Sequence, residues 1–167
     1  MSPIEWALRP FMRYADFDGR SPRAEYWWFT LCVVIAVFAL RLVDGWVFHG
    51  PIYGSLGPLG LAFFVATIVP RVSLFVRRLH DTEKSGWWAL ISLPSLVVIA
   101  SGSNTAAVTA AIKQTSGTLF AIEFLALIGW AILAFIVVIF MVIPGTEGLN
   151  RYGSDPYGPP ELEEVFA

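Results

Sequence analysis

The chain has 167 residues, of which 56% are hydrophobic and 14% charged, with a formal net charge of −2. A soluble domain carries about 25% charged residues, so this chain lacks the polar groups to cover a water-facing surface, whereas a lipid-facing surface needs no such cover. The small net charge, with no long block of like charges, does not point to a nucleic-acid partner, and none is expected, while the single cysteine, Cys32, excludes a disulfide framework or a cysteine zinc site within one chain.

The first predicted element is short. Ser2, Pro3 and Glu5 form a capping-box pattern. Ile4, Ala7, Leu8 and Phe11 fall on one helical face, with Glu5, Arg9 and Arg13 off it, which suits a helix lying in a membrane interface. Pro10 removes a backbone donor, so a frayed arm is the alternative. The first 25 residues hold four arginines and four acids with no apolar core, so the first span is not a cleavable signal and is expected to be retained. Asp18-Gly19 reads as a turn and Ser21-Pro22 as a helix start.

A spanning helix needs about 20 mainly apolar residues to cross about 30 Å of hydrocarbon. Runs of that kind predict spans over 24–48, 56–78, 86–107 and 119–143. Cys32 sits in the first as a small apolar side chain. The third is the weakest, since its strongly apolar part has the length of a re-entrant segment. Pro144-Gly145 stops the last helix, and the Gly- and Pro-rich residues that follow predict an irregular tail. The fold class is therefore all-α: an integral membrane bundle of about four helices, one domain over 1–158, with an acidic, flexible end over 159–167.

Basic residues are unevenly placed. Arg9, Arg13, Arg20 and Arg23 precede the first span, Arg77, Arg78 and Lys84 lie between the second and third, and Arg151 follows the fourth. The remaining two connections hold only Lys113. The positive-inside rule then puts both termini and the middle loop in the cytoplasm, which requires an even number of spans.

Charges inside spans cost about 2.5–3.5 kcal/mol each near the bilayer centre and need a reason. Arg41 and Asp44 are spaced to pair along one helix near its outer end, and Glu123 is expected at the interface. Arg71 lies seven residues before Arg78, after Pro70, which frees the carbonyl of Ala66. It either snorkels to headgroups or forms an anion site or an acid pair. In RRLHDTEKSGWW, Arg77 and Arg78 end the second helix, where they complement its dipole and meet anionic headgroups. His80 beside Asp81 suits either a general base or metal site, or a hydrogen-bonded interfacial turn. Ser85-Gly86 opens the third span, with Trp87 and Trp88 as interfacial anchors. There is no phosphate loop, HExxH, GxSxG or kinase pattern, so no catalytic residue, metal or cofactor is assigned.

Three segments, GRSPRAEYWW (19–28), RRLHDTEKSGWW (77–88) and PGTEGLNRYGSDP (144–156), in this order resemble the domain of unknown function 805 family of bacterial inner-membrane proteins. Matching positions are Gly19, Arg20, Arg23, Glu25, Tyr26 and Trp27; then Arg77, Arg78, Leu79, His80, Asp81, Gly86 and Trp87; then Pro144, Gly145, Asn150, Arg151, Tyr152, Gly153, Asp155 and Pro156. Glu83-Lys84 stands where the family commonly has a glycine and a basic residue, and Leu149 and Ser154 where it has prolines. The resemblance implies a small multi-helix protein of the bacterial cytoplasmic membrane and no particular activity.

The charge rule places all three segments on the cytoplasmic side. The candidate binding residues are Arg20, Arg23, Glu25, Arg71, Arg77, Arg78, His80, Asp81, Asn150, Arg151 and Asp155. The tail is expected to fold back over the helix ends, held by arginine–carboxylate pairs. The favoured function is a non-enzymatic module binding anionic phospholipid headgroups or a membrane-protein partner, or assembling as a homo-oligomer. A small transporter or channel subunit using Pro70 and Arg71, and a membrane-surface enzyme using His80 and Asp81, are the alternatives.

Overall fold

The computed structural model describes residues 1–48, 56–92 and 117–158. Among these residues the protein is all-helical. Helix α1 spans Pro3–Met12, α2 Arg23–Phe48, α3 Pro58–Asp81 and α4 Gly117–Val142, with a 3-10 turn over Gly86–Ser92 between α3 and α4. Residues 93–107 of the expected third span and the acidic end over 159–167 lie outside the described residues.

Helices α2 and α3 are long and apolar enough to cross a membrane, with mean hydropathies of 2.2 and 2.0 over their most apolar stretches. A shorter apolar stretch, Ala131–Val142, lies in α4. The apolar residues of α2 are mostly not core: Leu31, Val34, Ile35, Phe38 and Leu42 are all exposed, Phe38 by 64%. In water such a stripe would be a large aggregation-prone patch, whereas in lipid it is an ordinary outer surface.

The described chain forms two compact units. The first comprises residues 1–34, 67–89 and 138–158, and the second residues 35–66, 90–92 and 117–137. In the first, α1 begins with a formed capping box: the Ser2 amide donates to Glu5 at 2.9 Å and the Glu5 amide to the Ser2 hydroxyl at 3.3 Å. Pro10 lies buried two residues before Met12, and α1 continues through it. The expected single apolar face is divided: Ala7 and Pro10 turn inward, while Ile4, Leu8 and Met12 stay exposed. Phe11 meets Phe29 edge to face at 5.3 Å. Phe29, Leu74, Leu79 and Met141 are the most buried apolar residues of this unit, and the Trp27 indole donates to the Met141 carbonyl at 3.2 Å.

Helix α3 runs three residues past the expected end of its span, so His80 and Asp81 belong to its last turn and not to a loop. Its stop is a left-handed cap. Glu83 has φ of 57°, the Lys84 amide donates to the Leu79 carbonyl at 2.9 Å and the Glu83 amide to the His80 carbonyl at 3.1 Å. Glu83 thus occupies a position where a left-handed backbone favours glycine.

In the second unit, the start of α3 is capped from α2. The buried Asp44 carboxylate accepts the amides of Leu59 at 3.0 Å and Gly60 at 2.9 Å. These are N–H groups of the first turn, with no partner inside their own helix, at the positive end of the helix dipole. Asp44 therefore serves α3 directly, a role the expected pairing with Arg41 along α2 did not include. The approach leaves no room for a side chain at Gly57, whose added Cβ would lie 2.5 Å from Asp44 Cγ.

Candidate functional site

The first unit gathers a cluster of buried charge. Asp81, in the last turn of α3, is its centre. Arg20 donates to Asp81 Oδ1 through Nε at 3.0 Å, its Nη2 lies at ion-pair distance, 2.9 Å, from the same oxygen, and Arg78 donates to Oδ2. Arg78 is fully buried, and Arg20 and Asp81 are 5% and 3% exposed. Two guanidinium groups on one carboxylate satisfy it on both oxygens, and a buried carboxylate is tolerated only when paired and hydrogen-bonded in this way.

The remaining donors of the two arginines hold the tail. Arg20 Nη1 donates to the Gly148 carbonyl at 2.6 Å and reaches the Gly153 carbonyl at 3.4 Å, while its Nη2 also donates to the Thr146 carbonyl. Arg78 Nη2 donates to the Ile143 carbonyl. The Thr146 amide returns to the Asp81 carbonyl at 2.9 Å. Residues 143–153 are thus strapped across the end of α3. A planar guanidinium with five fixed donors can serve a carboxylate and several carbonyls together, which a lysine ammonium cannot. Gly145 passes so close to Asp81 that an added Cβ would fall on the carboxyl group.

The expected fold-back of the tail is present, but its partners differ from the expected ones. The arginine–carboxylate pairs join the segment around residue 20 to α3; the tail itself is bound through its backbone carbonyls and amides and through the Thr146, Asn150 and Arg151 side chains, which donate to the carbonyls of Asp81, His80 and Glu83. Asp155 serves its own segment, accepting the amides of Tyr157 at 2.9 Å and Gly148 at 3.3 Å. Those amides hold its carboxyl below the usual carboxylate range, the Tyr157 bond contributing most.

His80 and Asp81 point to different partners, so they form no acid–base dyad with each other. His80 Nδ1 lies 3.3 Å from the Gly19 carbonyl, and its ring stacks on Tyr152 with centroids 3.8 Å apart. The His80 carbonyl accepts from Asn150 at 3.1 Å. Arg151 is exposed, stands over the Tyr152 ring at 4.7 Å, and donates to the Glu83 carbonyl at 2.8 Å. A second buried group lies nearby. Arg77 and Glu25, both fully buried, face each other at 3.5 Å, and Arg9 of α1 reaches the same carboxylate at 3.5 Å. The Arg77 carbonyl accepts the Ser21 amide at 3.1 Å. Arg71 is half-buried, two turns before Arg78 on α3, and α3 runs through Pro70 without a break.

Arg77 and Arg78, expected against lipid headgroups, are therefore interior groups, turned inward by Glu25 and Asp81. Arg23 is the exposed basic residue of the first sequence block. It lines a cavity of about 390 Å³ together with Asp81, Glu147, Asp155, Tyr157 and the turn at 144–145. Sequence reasoning passed over Thr146, Glu147 and Tyr157. Thr146 and Glu147 directly follow the Pro-Gly stop, where a helix-leaving segment crosses its own helix end, and that position is the signal that could have found them.

Long apolar helices with lipid-suited outer faces, joined at one end by a buried arginine–aspartate clasp, define a small helical integral membrane protein. The chain belongs to the family described as "Protein of unknown function (DUF805)", whose model matches residues 14–154. That interval contains all members of the clasp. The chain is 32% identical over 156 residues to the Escherichia coli (strain K12) "Inner membrane protein YhaI", covering 92% of this chain and 96% of that one. It is 33% identical, again over 156 residues, to "Inner membrane protein YhaH" of the same organism, covering 92% and 97%. No solved structure matches the chain.

Proposed function

We propose that this protein is a non-enzymatic module of the bacterial inner membrane, with about four spans and both termini cytoplasmic, whose clasped tail forms a surface for lipid headgroups or a partner protein. The observation that carries this reading is the convergence of Arg20, Arg78, Asp81 and the carbonyls of residues 143–153 into one buried unit. So many charge-assisted bonds spent on holding a turn-rich segment make that segment a shaped surface and not a solvated end. The inner-membrane names of the relatives and the uneven placement of arginines support the location and orientation.

The buried positions of Arg77 and Arg78 shift the headgroup contact to Arg23, which is exposed at the start of α2. Unbroken passage of α3 through Pro70 gives no support to a broken-helix transport site, and the separate partners of His80 and Asp81 give none to a catalytic dyad. The test is native mass spectrometry of the protein released gently from its own membrane. The wild type is expected to retain a phospholipid or a partner protein, and an Arg20→Lys variant, which keeps charge but loses the planar fork, to release it. A wild type that emerges bare, together with flux through liposomes containing it, would overturn the reading in favour of transport.

A further inference from the structure

The cavity beside the clasp carries a mixed charge pattern. Arg23 opens α2 and has no hydrogen bond or ion pair among the described residues. Glu147 is exposed across the same cavity and is likewise without a partner among the described residues. Asp155 and Tyr157 complete that side. Asp81 also reaches the cavity, but both its oxygens are occupied by Arg20 and Arg78. What remains for a ligand is the Arg23 guanidinium, the Glu147 carboxylate and the Tyr157 ring, with Asp155, whose oxygens accept the Tyr157 and Gly148 amides, adding negative charge beside them.

We propose that this cavity is a site for a headgroup carrying a phosphate ester and a primary ammonium, the phosphoethanolamine headgroup of a membrane lipid. The inference rests on the membrane-module reading above and names the ligand class it takes. Arg23 supplies the forked donor pair that matches a phosphate. Glu147 supplies acceptor oxygens for the N–H donors of an ammonium, Asp155 adds negative charge on the same side, and the Tyr157 ring lies beside the same cation. A purely anionic headgroup would meet Arg23 but also two carboxylates. The volume, about 390 Å³, falls within the range of small-ligand sites, roughly 300–1,000 Å³.

Position agrees with the chemistry. Arg23 begins one membrane-length helix and Asp81 ends another. The ends of such helices lie at the headgroup layer, where an opening of this kind meets lipid.

The test reconstitutes the full chain in nanodiscs of equimolar phosphatidylethanolamine and phosphatidylglycerol and identifies co-purifying lipid by native mass spectrometry. Wild type is expected to enrich phosphatidylethanolamine roughly tenfold, the value of about one charge-assisted hydrogen bond. Glu147→Gln is expected to erase the preference while lipid is still retained, and Arg23→Gln to lose the bound lipid. Both changes are on exposed side chains, so folding is preserved. In detergent without lipid, soluble phosphoethanolamine that slows proteolysis of the tail would identify the headgroup alone as sufficient; protection seen only with the diacyl lipid would show that the bilayer delivers it. Enrichment of phosphatidylglycerol, or retention indifferent to both variants, overturns the site but leaves the membrane-module reading standing. A wild type that retains neither lipid overturns the site as well.

Discussion

Replacing Asp81 with asparagine isolates the electrostatics of the clasp. The amide is isosteric with the carboxylate, so the close passage of Gly145 is kept and no cavity opens. What disappears is the one negative charge between Arg20 and Arg78, both buried. Removing one partner of a buried ion pair costs about 3–5 kcal/mol because the other charge is left uncompensated. Solvent screening does not reduce this, since the three side chains are at most 4% exposed. The carbonyls of Ile143, Thr146 and Gly148 still accept from the arginines, which favours the lower end of that range. About 3 kcal/mol corresponds to on the order of a hundredfold rise in the open population of the tail. Limited proteolysis of residues 143–158 in membrane vesicles reads that population when opening is fast relative to cleavage. A hundredfold faster cut is expected; a rate within about threefold of wild type would refute the reasoning that the pair, and not packing alone, holds the tail.

Three further outcomes follow from the same structure. Asp44→Ala removes a cap of two amides and is expected to cost about 1–2 kcal/mol, read as an earlier midpoint in a detergent unfolding titration; an unchanged midpoint would contradict the capping role. Glu83→Gly relieves a left-handed backbone and is expected to stabilise by about 0.5–1 kcal/mol in the same titration, whereas loss of stability would contradict it. Asp155 has its folded pKa depressed below the ordinary 3.8, so its contribution is present above that value and is lost as pH falls through the lower folded one. Amide exchange at Gly148 and Tyr157, corrected for intrinsic rates, is therefore expected to stay flat from neutral pH to about 4 and to rise below it; a rise near pH 6 would point to a different group.

Much of the helical framework is legible in the sequence because its signals are local. The apolar runs mark α2 and α3 to within three residues of their structural ends, and Ser2 with Glu5 marks the start of α1. The end of α3 is not legible in the sequence because it depends on Glu83 adopting a conformation that its residue type does not advertise. The candidate cluster was legible as a set of residues on one side of a membrane, but not as a set of contacts. Arg77 and Arg78 look alike in sequence, yet one turns to Glu25, 52 positions away, and the other to Asp81, three positions away. The tail is held by carbonyls of Ile143, Thr146 and Gly148, and backbone acceptors leave no trace in residue type. The spacing of Asp44 to Arg41 is visible along one helix, whereas the amide partners of Asp44 come from the next helix.

Hydrogen exchange at the Thr146 amide, in the intact protein within its own membrane, reports directly on whether the tail is clasped. That amide donates to the Asp81 carbonyl at 2.9 Å. A clasped tail predicts strong protection at Thr146 in the wild type and its loss in the Asp81→Asn variant. Exchange at Thr146 as fast as in an unfolded chain, in the wild type itself, would mean that the tail is not clasped to α3.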